Sequence, residues 1–362
     1  MPLINCTMKH SNISLFVPHA GCPNQCSFCN QKTISGSAKE LTKEEVRETL
    51  EFARNSNLSS ENTEIAFFGG SFTAIDRDYM ISLLEETKPF IDNGLFSGIR
   101  ISTRPDAIDE EVLEILKQYK VTAIELGAQS TNDEVLLRNK RGHTREDIVN
   151  ASLLIKKYGF SLGLQMMTGL YKSTRSRDIE TARDLINLKP DTVRIYPTIV
   201  LENTHLAELL SIGEYKSPSL EDTISLCAEL LEMFYENNIK VIRLGLHSGG
   251  NVEEGFLSGP YHPAFRELCE SEIYLKNIRK KLFEIYKNET NSVFRSVTIY
   301  VNEKEISKST GQKGKNKEIL LGDGFSVTIK GLKDLEKYQI LIEENWNGEY
   351  KNVFESNWIA RL

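Results

Sequence analysis

The chain has 362 residues, of which 40% are hydrophobic, and its formal net charge is −7. This length suits one large domain with a smaller one, and the apolar fraction is ample for a buried core. No stretch approaches about eighteen consecutive apolar residues, so we expect no membrane-spanning helix and no membrane partner. Residues 1–16 lack the apolar core and the cleavage site of a signal peptide, which favours a cytoplasmic protein.

From Ile13 to about Leu246, apolar β-branched runs alternate with amphipathic helical stretches. TKEEVRETLEFARN is typical of the helical stretches, with Thr42 as the predicted N-cap and Glu45 three residues later. The alternation predicts βα units and a parallel sheet, and about six units would form an open barrel. The predicted strands are Ile13–Pro18, Glu64–Phe68, Gly98–Ser102, Ala123–Leu126, Ser161–Met167, Thr192–Tyr196 and Val241–Arg243.

Three cysteines, Cys22, Cys26 and Cys29, form a CxxxCxxC run directly after the first predicted strand. Thiolates at this spacing can hold three irons of a [4Fe–4S] cluster, which leaves the fourth iron open to a small molecule. A zinc site is the alternative, but structural zinc takes four protein ligands, and Cys6 and His19 lie at no familiar zinc spacing. A disulfide is less favoured in a chain without an export signal.

Glycine-rich and polar motifs follow the next strands, where the chemistry of a barrel is expected to lie. FFGGSFT places Gly69 and Gly70 after the second strand, and two glycines let the backbone approach a ligand closely. STRPD places Arg104 at the end of the third strand, where its guanidinium could bind a carboxylate or a phosphate. ELGAQS ends the fourth strand with Glu125, whose burial requires a partner such as a pair of ribose hydroxyls.

A polar run from Gln129 to His143 follows the fourth strand and includes Arg141. Such a run is unusual for a βα connection, which favours a functional site over a solvated loop. Gln165 is a polar residue in an otherwise apolar fifth strand, so we expect it to face the barrel lumen or a cofactor. We predict Gln129, Arg141 and Gln165 as catalytic residues.

Charge is unevenly distributed along the chain. Residues 276–317 contain eleven Lys or Arg and four Glu, a net charge of +7, so the remainder carries −14. This asymmetry favours a polyanionic partner for the basic segment, although a solvated basic face would produce it too. Within it, VTIYVNEKEISKSTGQKGKNKEILLGDGFSVTIKG predicts strand, helix, GQKG, helix and strand. The tail predicts a hairpin that turns at Asn347-Gly348.

The GQKG segment resembles the GXXG loop of KH domains, which clamps about four nucleotides through their backbone. Its glycines allow close approach, and the neighbouring lysines add charge that attracts phosphate. A basic lid or a dimerisation module is the alternative. The resemblance implies RNA contacts by Gly311, Lys313, Gly314, Lys315 and Lys317.

The motifs VPHAGCPNQCSFCNQ, FFGGSFT, STRPD, ELGAQS, RGH, LGLQMMTGL and RIYPTIVLENT, in this order, closely resemble those of the radical S-adenosylmethionine (SAM) superfamily. Within it they are most similar to the radical SAM domain of the Elongator catalytic subunit and its bacterial relatives, over about residues 10–250. The resemblance implies an α/β fold, a partial (β/α)6 TIM-like barrel. It also implies that the three cysteines hold the cluster, whose open iron binds SAM and whose electron cleaves SAM to a 5′-deoxyadenosyl radical.

The same resemblance implies which residues bind the cofactor. FFGGSFT matches the family's GGE motif, which binds the SAM amine, with Ser71 where Glu is usual. The aromatic residue before the third cysteine, Phe28, corresponds to one that lies near the adenine in many members, although it could equally pack the loop. The implied cofactor-binding residues are Phe28, Gly69, Gly70, Ser71, Arg104, Glu125 and Gln165.

Full-length members of that branch act on the wobble uridine of tRNA, with acetyl-CoA held in a C-terminal acetyltransferase-like domain. About a hundred residues follow the barrel here, too few for that fold, so we expect the acetyl-CoA chemistry not to carry over. The expected organisation is a radical SAM core at 1–270 and a basic α+β KH-like domain with a terminal hairpin at 271–362.

We therefore expect a radical SAM enzyme, a tRNA-modifying transferase that receives electrons from a flavodoxin or ferredoxin. Two alternatives remain open. One is a radical SAM enzyme that acts on a small metabolite or tetrapyrrole, with the basic domain as a lid. The other is a non-catalytic Fe–S protein that binds RNA.

Overall fold

The computed structural model describes residues 11–17, 25–30, 40–56, 58, 60–246, 253–287 and 294–344. The chain divides into two compact units, residues 1–223 with 233–263 and residues 224–232 with 264–362. A functional boundary after residue 270 stays a prediction.

A parallel sheet forms the centre of the first unit. The strands of this unit are Ser11–Val17 (β1), Ser60–Gly69 (β2), Phe96–Thr103 (β3), Val121–Gln129 (β4), Ser161–Thr168 (β5), Thr192–Pro197 (β6), Val200–Leu201 (β7), Lys240–Leu244 (β8) and Phe256–Ser258 (β9). Seven of them pair in the order β1-β2-β3-β4-β5-β6-β8, and every pair is parallel. This confirms the seven predicted strands. The short strands β7 and β9, which were not predicted, form a separate antiparallel pair.

Helices connect the parallel strands, as βα units require. Their bounds are Lys43–Asn55 (α1), Arg77–Asp92 (α2), Glu110–Gln118 (α3), Asp133–Arg138 (α4), Arg145–Lys157 (α5), Arg175–Asn187 (α6), His205–Ser211 (α7) and Leu220–Glu236 (α8). The predicted N-cap of α1 is confirmed: the Glu45 N–H donates to the Thr42 hydroxyl at 3.2 Å, and the Thr42 N–H donates to the Glu45 carboxylate at 2.8 Å. These reciprocal bonds satisfy donors that a helix start leaves open, so α1 begins where its local sequence dictates.

Strand residues alternate between two environments because successive side chains point to opposite faces. Ile99 and Ile101 of β3 are fully buried apolar residues, whereas Arg100 between them carries a charge. On the charged face, Arg194 of β6 contacts both Glu125 of β4 and the ring of Phe68 of β2, 5.2 Å away. Residues of three non-adjacent strands can meet only if the sheet is curled. The fold is therefore the predicted partial barrel, with a polar lumen.

The second unit is a small α+β structure. Its elements after residue 264 are Phe265–Tyr286 (α9), Arg295–Asn302 (β10), Ile306–Thr310 (α10), Lys315–Gly322 (α11), Phe325–Leu332 (β11) and Leu341–Glu344 (β12). β10 is the central strand, parallel to β11 and antiparallel to β12. The predicted order of strand, helix, GQKG, helix and strand is observed. The hairpin predicted at Asn347-Gly348 lies outside the described residues.

No helix in the described parts of either unit combines the length and the apolar composition that crossing a bilayer requires.

Candidate functional site

Two of the motif cysteines lie on a tight turn that other elements hold in place. The Cys29 N–H donates to the Cys26 carbonyl at 3.1 Å. Between them, Ser27 is fully buried. Its hydroxyl donates to Asn139 Oδ1 at 2.7 Å and its N–H donates to the Asn139 carbonyl at 3.1 Å, while its carbonyl accepts from the Leu206 N–H at 2.7 Å. The turn is therefore fixed to the end of α4 and to the start of α7.

Neither thiol of this turn forms a disulfide bond with a cysteine among the described residues. Cys26 is buried and Cys29 is partly exposed, so the turn offers one sulfur to the interior and one toward the surface. Cys22, the first predicted ligand, lies outside the described residues. Cysteine thiols on one tight turn are the ligand type that an iron–sulfur cluster requires.

Phe28 occupies the position between the buried serine and the third cysteine. Its partly buried ring packs against an apolar cluster formed by Tyr171, Val200, Leu206, Leu209 and Tyr215. This packing gives the ring a structural role in seating the turn. A contact with an adenine stays a prediction.

Arg141 connects the cysteine turn to the ends of two strands. Its Nη1 donates to Cys26 Sγ at 3.1 Å, and its Nη2 donates to the Gly127 carbonyl of β4 at 2.6 Å. Its own carbonyl accepts a bond of 2.6 Å from Arg104 Nη2, at the end of β3. The Arg141 side chain is 7% exposed, and its Nε has no hydrogen-bond partner among the described residues. The Cys26 sulfur thus lies beside a buried guanidinium that hydrogen-bonds to it.

Arg104 is buried and binds within its own loop. Its Nε and Nη2 donate to the two carboxylate oxygens of Asp106 at 2.9 and 2.8 Å. Arg104 thus forms the bidentate interaction that was expected of it, but its partner is a carboxylate of the protein. Binding of a SAM carboxylate by Arg104 stays a prediction.

A glycine is required at the end of β2 by the fold of the turn that follows. Gly69 has a φ of +116°, and a Cβ added to it would lie 2.5 Å from the Val17 carbonyl oxygen. The Gly70 N–H donates to that same carbonyl at 2.9 Å. The turn thus folds closely onto the end of β1, where only glycine fits. Ser71, which follows, is buried, and contacts of the three residues with SAM stay predictions.

A buried charged network occupies the barrel lumen. Glu125 is 1% exposed, and its carboxylate lies 2.6 Å from Arg194 Nε and 3.2 Å from Arg100 Nη1. Gln165 Nε2 donates to it at 3.1 Å, and Arg100 also pairs with Glu64 at 2.8 Å. Burial opposes the charge of Arg194, but Glu125 and Tyr196 raise the pKa of Arg194 above its ordinary value. Glu125 therefore has partners from the protein itself, and its burial does not require the expected ribose.

Several buried polar atoms at the ends of β3 and β4 have no hydrogen-bond partner among the described residues: Gln129 Oε1, Ser102 Oγ and His143 Nδ1. Gln129 also has a φ of +66°, a strained value for a residue with a side chain. Burial and the neighbouring Arg141 lower the pKa of His143 to about 4, so its ring is neutral at pH 7. His143 Nε2 lies 3.2 Å from the Ala128 carbonyl. A carbonyl only accepts hydrogen bonds, so Nε2 carries the proton of the neutral ring and Nδ1 is an acceptor. Buried polar atoms are nearly always bonded, so this region calls for a polar ligand.

Two family models match the chain: the radical SAM superfamily over residues 16–186 and the radical SAM C-terminal domain over residues 190–275. The chain belongs to the radical SAM superfamily. The matched span contains the cysteine turn, the glycine turn and the polar residues at the strand ends.

This radical SAM protein is similar to several curated relatives. Elongator complex protein 3 of Bos taurus is 31% identical over 209 residues, which are 52% of this chain and 38% of the relative. The tRNA uridine(34) acetyltransferase of Methanocaldococcus jannaschii is 31% identical over 183 residues, 45% of this chain and 34% of the relative. An uncharacterised protein of the same archaeon is 28% identical over 233 residues, 63% of this chain and 69% of the relative. The chain thus spans well under half the length of the first two.

Among solved structures, Elp3 of Methanocaldococcus infernus with an N-terminal deletion (1–46) superimposes on this radical SAM protein with a TM-score of 0.57. The two are 20% identical, and the match covers 76% of this chain and 64% of that one. At this identity the likeness concerns the fold alone.

In the second unit, the GQKG loop is fixed by its glycines. Gly311 and Gly314 have φ values of +79° and +83°, and a Cβ on Gly311 would lie 2.7 Å from the Asn316 nitrogen. Asn316 is buried, and its Nδ2 donates to the carbonyls of Ser271 and Ser309 at 3.0 and 3.1 Å. The loop is therefore held to α9 and α10 through one amide side chain.

The lysines of this loop differ from the basic residues of the segment that form ion pairs. Lys313, Lys315 and Lys317 are exposed and form no ion pair with any residue that the structure describes. Four other basic residues pair inside the unit: Lys276 with Glu232, Arg279 with Asp323, Arg295 with Glu344, and Lys308 with Glu270 and Glu305. The loop therefore carries three lysines that are available to a partner, alongside Lys280, Lys287 and Lys304, which are also exposed.

Four residues of the site were missed at the sequence level. Ser27 and Asn139 hold the cysteine turn, and Asn139 belongs to the polar run from Gln129 to His143, in which it was not singled out. Glu64 and Arg100 complete the lumen network. Both are charged residues in otherwise apolar strands, so the reasoning applied to Gln165 would have found them.

Proposed function

We propose that Cys22, Cys26 and Cys29 hold a [4Fe–4S] cluster at the carboxyl ends of the strands and that SAM binds beside it. The observation that carries the proposal is the Cys26–Cys29 turn, fixed through Ser27 and placed against Arg141. Membership of the radical SAM superfamily supports it. When bound, the cluster supplies the electron that cleaves SAM into methionine and a 5′-deoxyadenosyl radical.

The residues around the turn fit a ligand that carries an amine, a carboxylate and hydroxyl groups. Gln129 Oε1 can accept from an amine, Arg141 Nε can donate to a carboxylate, and His143 Nδ1 can accept from a hydroxyl. Each of these atoms is buried and has no partner among the described residues. SAM contains all three kinds of group.

The lumen network supports radical chemistry by filling the barrel on the inner side of the turn. Glu64, Arg100, Glu125 and Arg194 bond to one another, and Gln165 bonds to Glu125. Each of these side chains has a polar partner within the network, so in this proposal they do not require water. Excluding water from the site prevents side reactions of a reactive intermediate.

We propose that the substrate is a base of tRNA and that the enzyme is a tRNA-modifying radical SAM transferase in the cytoplasm. Two observations support this: similarity to a protein named tRNA uridine(34) acetyltransferase, and the exposed lysines of the GQKG loop. In this proposal Gly311 and Gly314 let phosphates approach the loop, and Lys313, Lys315 and Lys317 attract them. A flavodoxin or ferredoxin delivers the electron.

The proposal is tested with anaerobically reconstituted protein, dithionite and SAM, by measuring 5′-deoxyadenosine with and without bulk tRNA. We expect tRNA to stimulate its formation, and Cys26→Ala to abolish it. Cys227→Ala, which removes a buried thiol of the second unit, is the matched control and should keep activity. No 5′-deoxyadenosine from protein with intact iron and sulfide contradicts the radical mechanism. Turnover that ignores tRNA instead indicates a small-molecule substrate.

RNA binding by the loop is tested separately, by filter binding of tRNA at several salt concentrations. Replacing Lys313, Lys315 and Lys317 with Ala should weaken binding. The slope of log K against log salt concentration should also become less negative by about 2 to 3, because each phosphate contact contributes about 0.7–0.9 to that slope. The control removes three exposed lysines of the first unit: Lys88, Lys117 and Lys240. Equal losses in both variants contradict a role specific to the loop.

A further inference from the structure

Arg141 is a buried cation that lacks a carboxylate partner. Only 7% of its side chain is exposed, and no Asp or Glu of the described residues forms an ion pair with it. A buried charge is costly unless an opposite charge compensates it. Its guanidinium contacts the Gly127 carbonyl and Cys26 Sγ, the latter 3.1 Å from Nη1. Arg141 therefore places a fixed positive charge directly beside the sulfur of Cys26.

The backbone holds Arg141 in this position from three sides. Its N–H donates to the Leu136 carbonyl at 3.0 Å, its carbonyl accepts from Arg104, and its Nη2 donates to the Gly127 carbonyl at 2.6 Å. A Cβ on Gly127 would lie 3.3 Å from Nη2, so glycine leaves the space in which the guanidinium lies. Contacts within the protein thus fix the position of the guanidinium.

We propose that Arg141 is a positioning residue that raises the reduction potential of the cluster through its charge and its hydrogen bond to Cys26. This inference rests on the proposed function, in which Cys26 is a cluster ligand. A [4Fe–4S]²⁺ cluster with three thiolates carries a charge of about −1 and gains one more negative charge when it accepts an electron. A fixed cation beside a ligand sulfur stabilises the more negative state, and such bonds to sulfur are among the factors that set cluster potentials.

The test measures the potential directly and does not depend on turnover. The reconstituted protein is titrated with dithionite, and the reduced cluster is followed by electron paramagnetic resonance. A hydrogen bond to a charged group contributes enough for about a tenfold effect. We therefore expect Arg141→Met to lower the ratio of reduced to oxidised cluster about tenfold at equal solution potential, which corresponds to about 59 mV for one electron. Arg138→Met, which removes an exposed arginine from the end of α4, is the control and should leave the potential unchanged.

The outcomes distinguish a failure of the proposed function from a failure of the inference about Arg141. Wild-type protein that binds no iron and sulfide contradicts the proposed function, whereas an unchanged potential in a fully loaded Arg141→Met contradicts only the inference. If the Met variant binds no cluster, the reduction potential is measured on Arg141→Lys instead. Lysine keeps the charge but cannot bond to Cys26 and Gly127 together. We expect its potential to lie below that of the wild type, and a wild-type value in the Lys variant overturns the inference.

Discussion

Replacing Glu125 with Gln removes one charge from the lumen and changes little else. Gln has nearly the same volume and keeps hydrogen-bonding capacity. Arg100 retains Glu64 as a partner at 2.8 Å. Arg194, in contrast, loses the only carboxylate that pairs with it among the described residues. The variant therefore isolates the effect of one uncompensated cation.

The expected cost follows from burial. Removing one partner of a buried ion pair typically costs about 3 to 5 kcal/mol, since the other charge stays desolvated. The side chain of Arg194 keeps 12% exposure, and Glu125 only 1%. Residual contact of Arg194 with water reduces the penalty, so we expect the low end, about 3 kcal/mol of the free energy of unfolding.

Because the chain contains two units, a single unfolding transition cannot be assumed. Hydrogen exchange of the amides of β4 and β6, measured by mass spectrometry, reports the stability of the barrel itself. Glu114→Gln, at an exposed position of α3, is the matched control. The double variant Glu125→Gln/Arg194→Gln should lose less than the sum of the single variants, because it removes both charges. A cost for Glu125→Gln within about 0.5 kcal/mol of the control would refute the argument.

Two further predictions concern glycine geometry and pH. Gly311→Ala should destabilise the second unit by more than about 1 kcal/mol, because the added Cβ meets the Asn316 nitrogen at 2.7 Å. Gly314→Ala, with a similar φ but no atom within 4 Å, should cost less, and equal losses in thermal unfolding would contradict this. Burial raises the pKa of Asp178 to about 6, so the folded state binds this proton more tightly than the unfolded chain. Stability from this group therefore increases as pH falls from about 6 toward 4, by up to about 3 kcal/mol. Asp178→Asn should lose that slope, and parallel pH profiles of the two proteins would contradict the assignment.

The sheet was predictable because its signal is local. A strand such as TVRIYP alternates apolar residues with polar ones over a short run, and a helix follows at regular spacing. Both features depend only on neighbours in sequence. The ends of such strands lie on one edge of a parallel sheet, which is why the motifs after them could be assigned to one site.

The partners of the charged residues were not predictable, because they depend on how far the sheet curls. Arg194 lies 69 positions after Glu125, and Arg141 lies 115 positions after Cys26. The alternation of faces indicates that Glu125 points inward, but not which side chain reaches it. A ribose was therefore a reasonable expectation, and the arginines could be identified only from the three-dimensional arrangement.

The basic segment shows the same limit. Its net charge of +7 follows from composition, but composition does not separate paired from available lysines. Lys308 bonds to Glu270, a residue outside the counted segment, whereas Lys313 remains exposed. Only the structure separates the paired basic residues of the segment from those that remain exposed, among them the lysines of the loop.

The anchoring of the cysteine turn has a consequence for the proposed cluster and its recovery from oxygen damage. The bonds that fix Ser27 come from the protein, through Asn139 and Leu206. Where ligands are ordered only by the metal, loss of the metal unfolds the site. If the proposed cluster binds here, these bonds hold the turn when oxidation removes it. Repair machinery that delivers iron and sulfide would then meet a receptor that is already formed, and reloading would need no refolding of this turn.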